Sequence, residues 1–260
     1  MRRRTFIAGL LGALGLKATA WAQPLPPSNL RVGEHMAISV DNTGQSAATV
    51  GFLSSVTISS VAVGSGENRL LVVGVSYHEW SANNPVVNSV TFGGTNLTQL
   101  QKLVAGQTIV EIWYLKAPAN TTADVVVTMS AATYLIAGAT SWFGVDQTTT
   151  FGTVATANGS STSPSVAVTS AVDELVHDTL AVNGAPTITV GAGQTQRWNL
   201  ASGTNKSGAG STEAGAASVT MSWTLGTSAT WSIMGVPLKP AAGAASVVTP
   251  RSFALLGVGA

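Results

Sequence analysis

Apolar residues in this chain fall into short runs of strand length, each bounded by Gly, Asn, Pro or Ser. The runs predict strands over 36–41, 56–63, 69–78, 86–92, 108–115, 124–130 and 134–143. After a gap they resume over 165–169, 174–182, 187–190, 218–223 and 230–238. Val, Thr, Ile and Ala dominate, while Lys and Glu, common on exposed helix surfaces, are scarce, so helices are not expected. Many short strands at such spacing predict an all-β chain built as an antiparallel β-sandwich. Within 110–115, Val110, Ile112 and Tyr114 share one face and Glu111, Trp113 and Leu115 the other. That pattern suits an interior strand covered fully on one side and partly on the other. Gly93-Gly94 and Gly64-Ser65-Gly66 are expected to supply positive φ, and Asn83-Asn84-Pro85 to start a turn.

The strand pattern carries an internal echo. Ser60-Val61-Ala62-Val63 is similar to Ser165-Val166-Ala167-Val168, Leu71-Val72 to Leu175-Val176, and Val127-Thr128-Met129-Ser130 to Val219-Thr220-Met221-Ser222. In both places the Thr-Met-Ser strand is followed by an aromatic-led strand with a central Gly, 134–138 and 231–235. Convergent strand composition and an internal duplication both account for this; a duplication would place two similar strand sets in the two halves of one double sheet. The Thr-, Ser-, Gly- and Asn-rich segment 146–164 reads as a long connection within a single domain spanning 36–240.

The chain begins with Arg2, Arg3 and Arg4, an apolar stretch from Ile7 to Leu16, and the small residues Ala20 and Ala22 around Trp21. These are the three regions of an export signal, so 1–22 is expected to be a signal peptide cut after Ala22. The order Arg3-Arg4-Thr5-Phe6 resembles the twin-arginine signal, with Lys17 near the cut fitting that route. The apolar stretch is shorter than the ~20 residues of a membrane-spanning helix, and no transmembrane span is expected in the mature chain. Loss of Arg2, Arg3, Arg4 and Lys17 takes the formal balance from +1 to −3. A mildly acidic chain without a basic stripe has no electrostatic footprint for nucleic acid. Residues 23–35 read as an N-terminal extended segment and 241–260 as a low-complexity apolar tail.

Candidate chemistry is sparse. With no Cys, disulfides, thiolate metal sites and cysteine nucleophiles are excluded, and three His leave little for a histidine-rich metal site. His78, Glu79 and Trp80, followed by Asn83, form the densest polar and aromatic cluster and sit where a strand meets a loop, the usual place for a binding site on a sandwich. There Trp80 would stack on a sugar ring while the polar groups take its hydroxyls; the alternative is a rim Trp covering the core. Glu79 and Glu111 would make a glycosidase-like carboxylate pair if they lay ~5 to 9 Å apart. Otherwise Glu111 faces solvent or meets a cross-strand cation. Asp173, Glu174 and Asp178 surround His177, but His177 and Asp178 alternate in direction along a strand and no Asp-rich loop offers calcium its six or more oxygens. A structural calcium stays open there, and no metal or cofactor is assigned. Trp113, Trp142, Trp198, Trp223 and Trp231 lie in or near predicted strands, where they are core residues unless exposed in a row.

Several segments resemble a group of bacterial exported modules of uncharacterised function: 89–94, 110–118, 137–139, 144–147 and 236–240. The resemblance implies a jelly-roll or lectin-like sandwich and carries no catalytic residues. The tail, 249–259, resembles the start of the Pro-Glu-Pro sorting tail of exopolysaccharide-associated surface proteins, without its acidic residue, second Pro or terminal basic cluster. Together these features predict a non-catalytic structural, adhesive or matrix-associated protein, exported to the periplasm, cell surface or outside. It would self-assemble through its terminal segments or meet surface polysaccharide. A carbohydrate-binding module is the alternative, and a polysaccharide-acting enzyme using Glu79 or Glu111 the third reading.

Overall fold

The computed structural model describes residues 35–48, 51–78 and 84–243. The export signal with Arg3, Arg4, Phe6, Ala20 and Ala22, the segment preceding His35, and the tail from 244 onward lie outside them. The first half of the described chain forms β1 (Ser39–Gln45), β2 (Leu53–Val63), β3 (Leu70–His78), β4 (Val87–Phe92), β5 (Thr95–Asn96), β6 (Thr98–Ala105), β7 (Thr108–Lys116), β8 (Thr121–Thr133) and β9 (Leu135–Phe143). The second half forms β10 (Ala155–Ser161), β11 (Ser165–Thr169), β12 (Leu175–Asn183), β13 (Ile188–Val190), β14 (Thr195–Ser202), β15 (Lys206–Ala214), β16 (Ser218–Leu225) and β17 (Ala229–Leu238). No helix occurs among the described residues.

In the first half a five-stranded sheet, β1-β9-β3-β7-β6, faces a four-stranded one, β2-β8-β4-β5, and every pairing is antiparallel. Setting aside β6, which joins the edge, this is the strand order of a jelly roll. The second half repeats it as β10-β17-β12-β15-β14 facing β11-β16-β13. Taken in chain order, β1 to β4 match β10 to β13 and β6 to β9 match β14 to β17, with β5 alone lacking a counterpart. The chain is therefore an all-β double jelly roll, and each half closes its own apolar core. Leu71, Val73, Val75 and Tyr77 of β3 meet Ile58, Val90 and Val127 in one; Val176, Leu180 and Val182 of β12 meet Val168, Met221 and Trp223 in the other.

The echoes fall on equivalent strands, and their side-chain parity sorts the true matches from the slips. Val127 and Met129 in β8 point into the first core as Val219 and Met221 in β16 point into the second. Leu71-Val72 does not align with Leu175-Val176: β3 puts Leu71 in its own core, β12 puts Val176 there, so Leu71 matches Val176. A one-residue slip in a strand sends every side chain to the opposite face. The central glycines are shifted in the same way. Gly138 packs beneath Trp198, whereas Gly235 packs against Val168 in the second core. A firmer match lies in β6 and β14, where Thr98-Gln99 and Leu103 parallel Thr195-Gln196 and Leu200. Both strands bulge at the same place, between Gln99 and Gln101 and between Gln196 and Trp198.

The two five-stranded sheets pack on each other, so β3 and β12 are covered on both faces. β9 lies over β14 and β15, β3 over β15 and β12, β7 over β12 and β17, and β6 over β17. Equivalent strands thus contact reciprocally, as the subunits of a twofold dimer do. Leu70, Val72, Val110, Ile112 and Trp142 meet Ala181, Met234, Val236 and Leu238 in this third apolar layer. Beside it Trp198 lies buried in a trough of Gly74, Gly138 and Gly210, where a Cβ on Gly138 would stand inside the indole. Burial of that side chain contributes on the order of 3 kcal/mol.

Three local expectations change. Segment 146–164 is not all connection, because 155–161 forms β10 on the edge of the inner sheet. The two halves build two stacked sandwiches, not the two halves of one double sheet. Gly93 and Gly94 do take positive φ (54° and 84°), but at 64–66 it is Asn68 (54°) that turns the chain. Gly66 is needed there because a Cβ would collide with the Phe143 ring.

Candidate functional site

His78 ends β3, and β3 alternation aims its side chain, like that of Ser76, at the layer between the sandwiches. It is buried, its backbone N–H donates to Tyr134 O at 3.2 Å, and its ring stands edge-on to the Tyr134 ring at 6.4 Å. Its carbonyl accepts the Thr133 hydroxyl. Of the predicted cluster, Glu79, Trp80 and Asn83 lie outside the described residues. The neighbours brought to His78 were not singled out by sequence reasoning. His78, Gln107 and Tyr134 from the first half and Asn183, Thr204 and Asn205 from the second line a cleft of about 330 Å³. Only knowledge of the duplication would have found them: His78 and Asn183 end equivalent strands, and Gln107 and Asn205 sit in equivalent turns.

Glu111 is not solvent-facing. It lies on the core face of β7, 1% exposed, and accepts hydrogen bonds from Tyr77 Oη (2.7 Å), Gln99 Nε2 (2.8 Å) and Trp113 Nε1 (2.8 Å). The cross-strand cation is Lys102, whose Nζ stands 3.6 Å from the carboxylate and 5.7 Å from the centre of the Tyr77 ring. A carboxylate with its acceptor sites filled from within holds β3, β6 and β7 together and has no open path to a substrate.

The 173–178 group is divided by the strand, as alternation requires. Asp178 points into the second core, where it accepts Ser211 N–H (2.6 Å), Ser211 Oγ–H (2.8 Å) and Trp223 Nε1–H (2.7 Å). Burial raises its pKa to about 7 against the opposing pull of these donors. His177 points the other way, into the inter-sandwich layer, with its ring edge-on to Trp142 at 6.0 Å. Neither ring nitrogen has a hydrogen-bond partner among the described residues, and burial, with Arg197 adding repulsion, lowers its pKa to about 3. Glu174 accepts Ser170 Oγ and Ala171 N–H and so closes a turn. Among the described residues no three His, Asp or Glu side chains gather where a metal ion could sit.

One further ionisable group went unnoticed in the sequence. Lys206, at the start of β15, is fully buried, its Nζ has no partner among the described residues, and burial lowers its pKa to about 7. Its equivalent in β7 is Thr108, whose hydroxyl meets Ser232 across the inter-sandwich layer at 2.6 Å. The twofold-like counterpart of Ser232 is the apolar Ile136, so Lys206 faces a position that offers no acceptor. Trp113, Trp142, Trp198, Trp223 and Trp231 are all buried and form no exposed row.

Three of the segments that carried the resemblance to exported modules, 110–118, 144–147 and 236–240, meet at one corner. Gln147 Nε2 donates to Arg69 O and Val145 O, its Oε1 accepts Ala117 N–H, and its carbonyl accepts Lys116 Nζ. Asp146 Oδ1 accepts the N–H groups of Thr148 and Thr149, and its own N–H donates to Lys239 O. This corner leads the chain from one jelly roll into the next. Compared with known protein families, curated proteins and solved structures, the chain has no match.

Proposed function

We propose that this chain is a non-catalytic, exported structural or adhesive protein of the cell surface or its surrounding matrix, working by self-association. The observation that carries the reading is the fate of its acids: Glu111 and Asp178, the two buried carboxylates among the described residues, each accept three hydrogen bonds from neutral donors of the same jelly roll, and Glu111 also meets Lys102. Groups so engaged serve packing, not proton transfer, which needs an acid or base within reach of a substrate. Two stacked jelly rolls also leave sheet edges. Among the described residues β10 pairs only with β17 and β14 only with β15; β10 alternates exposed Thr156, Asn158 and Ser160 with half-buried residues, and β14 exposes Thr195 and Gln196 at its start. Such edges accept a strand from a second copy or from a terminal segment. The export signal and the residues at both ends of the chain, 23–28 and from 241 on, supply the rest of the reading.

The test is light scattering with electron microscopy of the same sample across a concentration series, on the chain from Gln23 and on forms lacking either end. Defined oligomers or filaments that disappear on deletion are the expected result. A monomer at every concentration, with and without the ends, overturns self-association.

A further inference from the structure

The cleft between His78 and Asn205 does not stop at its own rim. It shares Asn183 and Gly184 with a second depression of about 580 Å³ that runs on past Pro186 and Thr187 to Thr227 and Ser228. The two make one groove across the end of the molecule, from the first jelly roll onto the second. Among the described residues no Lys, Arg, Asp or Glu lines either part. Beside the His78 ring and the apolar Ala185, Pro186 and Ala229 the lining is amide, hydroxyl and backbone, and the side-chain amides of Gln107, Asn183 and Asn205 bond to no other group among the described residues. One end is aromatic: Tyr134 is half-buried in the wall, and Phe52, 47% exposed, packs on it with ring centroids 4.6 Å apart. The groove also straddles the twofold-like relation of the halves, since His78 and Asn183, and Gln107 and Asn205, are equivalent pairs. Tyr134 breaks that equivalence, because its counterpart is Thr230, so the groove has a direction.

Long, shallow and uncharged, with unengaged amides and one aromatic end, the groove lacks the enclosure that a small molecule needs. A polymer whose units each offer hydroxyls and an apolar ring face needs no enclosure. The geometry points to a binding site for a neutral glycan chain, with a sugar ring against Tyr134 and the hydroxyls of neighbouring units on Gln107, Asn183, Thr204 and Asn205. An acidic glycan would bring carboxylates to a surface where no described Lys or Arg meets them, and each would lose hydration without full replacement. The site goes beyond the self-association reading and is independent of it, since monomer and assembly alike would carry the groove.

The experiment is affinity electrophoresis of the full mature chain in gels containing dextran, laminarin, galactomannan or, as the acidic arm, polygalacturonate. Retardation by at least one neutral polymer and none by polygalacturonate is expected. Asn183→Ala with Asn205→Ala should weaken it roughly tenfold, as should Tyr134→Ala, by the magnitude of lost amide bonds and ring contact. Gln107→Ala and Asn205→Ala alter exposed positions and leave folding intact, so they report on binding even if Tyr134→Ala unfolds the protein. Retardation by polygalacturonate alone, no retardation by any neutral polymer, or unchanged retardation in the amide variants overturns the proposal. Assembly measured on the same variants separates a failed groove from failed self-association.

Discussion

β3 and β12 occupy the same place in the two jelly rolls, each at the centre of its inner sheet and each buried on both faces, yet they are made differently. β3 reads Leu-Leu-Val-Val-Gly-Val-Ser-Tyr-His, and where it has Val72 and Val73, β12 has His177 and Asp178. At the start of the next strand of the same sheet, Thr108 in the first half becomes Lys206 in the second. The backbone frame is kept while three buried ionisable groups enter one copy only. The difference teaches that what decides such a group's cost is the donors or acceptors it meets. Asp178 meets three donors, and His177 and Lys206 meet none among the described residues. Glu111 shows the first half reaching the same solution as Asp178 on a different strand, again with an indole N–H.

The largest asymmetry between the halves is Trp198, whose counterpart after the shared bulge is the exposed Gln101. At this position the second half sends an indole into the inter-sandwich layer where the first has an amide, and Gly138 of the first half lies directly beneath the ring. Gly138→Ala would drive a methyl into the ring, which is walled in by Gly74 and Gly210 and cannot swing away. The expected loss is about 3 kcal/mol or more, read by urea denaturation. Adding Trp198→Ala should make the double variant less unstable than the sum of the two single changes. Additive losses would mean that the indole is not what fixes Gly138.

Next in size is Lys206. Its pKa in the fold lies below that of the unfolded chain, so between about pH 7 and 10.5 the unfolded chain binds a proton that the folded chain gives up. Stability from this group therefore rises as pH rises through that window, and the full penalty stands below pH 7. Lys206→Met keeps the length of the side chain without the charge and should stabilise the protein by about 3 kcal/mol at pH 7. The gain should shrink towards pH 10, and thermal melts at the two pH values measure it. An equal gain at both would show that lost packing, not charge, sets the cost.

What the sequence revealed and what it hid divide along the same line. Strands whose burial comes from Val, Ile and Leu, such as β3, β7, β9 and β17, stand out as apolar runs, and from them the all-β sandwich was readable, while its jelly-roll form was implied by the resemblance to exported modules. β15 did not, because Lys-Ser-Gly-Ala-Gly-Ser-Thr-Glu-Ala has neither propensity nor periodicity. It is a strand because its glycines let Trp198 and β3 approach closely, which is tertiary context. β14 and β10 are polar edge strands and were lost for a similar reason. At the site, His78 was placed at a strand end correctly by position alone. Its partners Gln107, Tyr134, Asn183 and Asn205 come from four separate turns and strand ends, and only the stacking of the two jelly rolls brings them together. The duplication was visible as echoes, but two of them were one residue out of register, and the hydrophobic pattern alone does not assign faces when both faces are buried.

The smallest expected effect in the intact protein comes from His177 and Asp178, because they oppose each other. Asp178 titrates higher in the fold than unfolded, so between about pH 4 and 7 the unfolded chain releases a proton that the folded chain keeps, and stability falls as pH rises. His177 titrates lower in the fold, so from about pH 6.5 down to 3 the unfolded chain takes up a proton that the folded chain refuses, and stability falls as pH falls. The two windows overlap and the two shifts are similar in size, so their contributions nearly cancel between about pH 4 and 6.5. Removing either should uncover the other. His177→Leu makes the second jelly roll resemble the first at Val72, and relative to the parent its stability should fall by about 2 kcal/mol from pH 4 to pH 6.5. Asp178→Asn should show the opposite slope over the same range, and denaturation midpoints at a series of pH values give both. Parallel pH profiles for the parent and both variants would mean that neither group changes its proton affinity on folding. The contrast between β3 and β12 would then be one of packing alone.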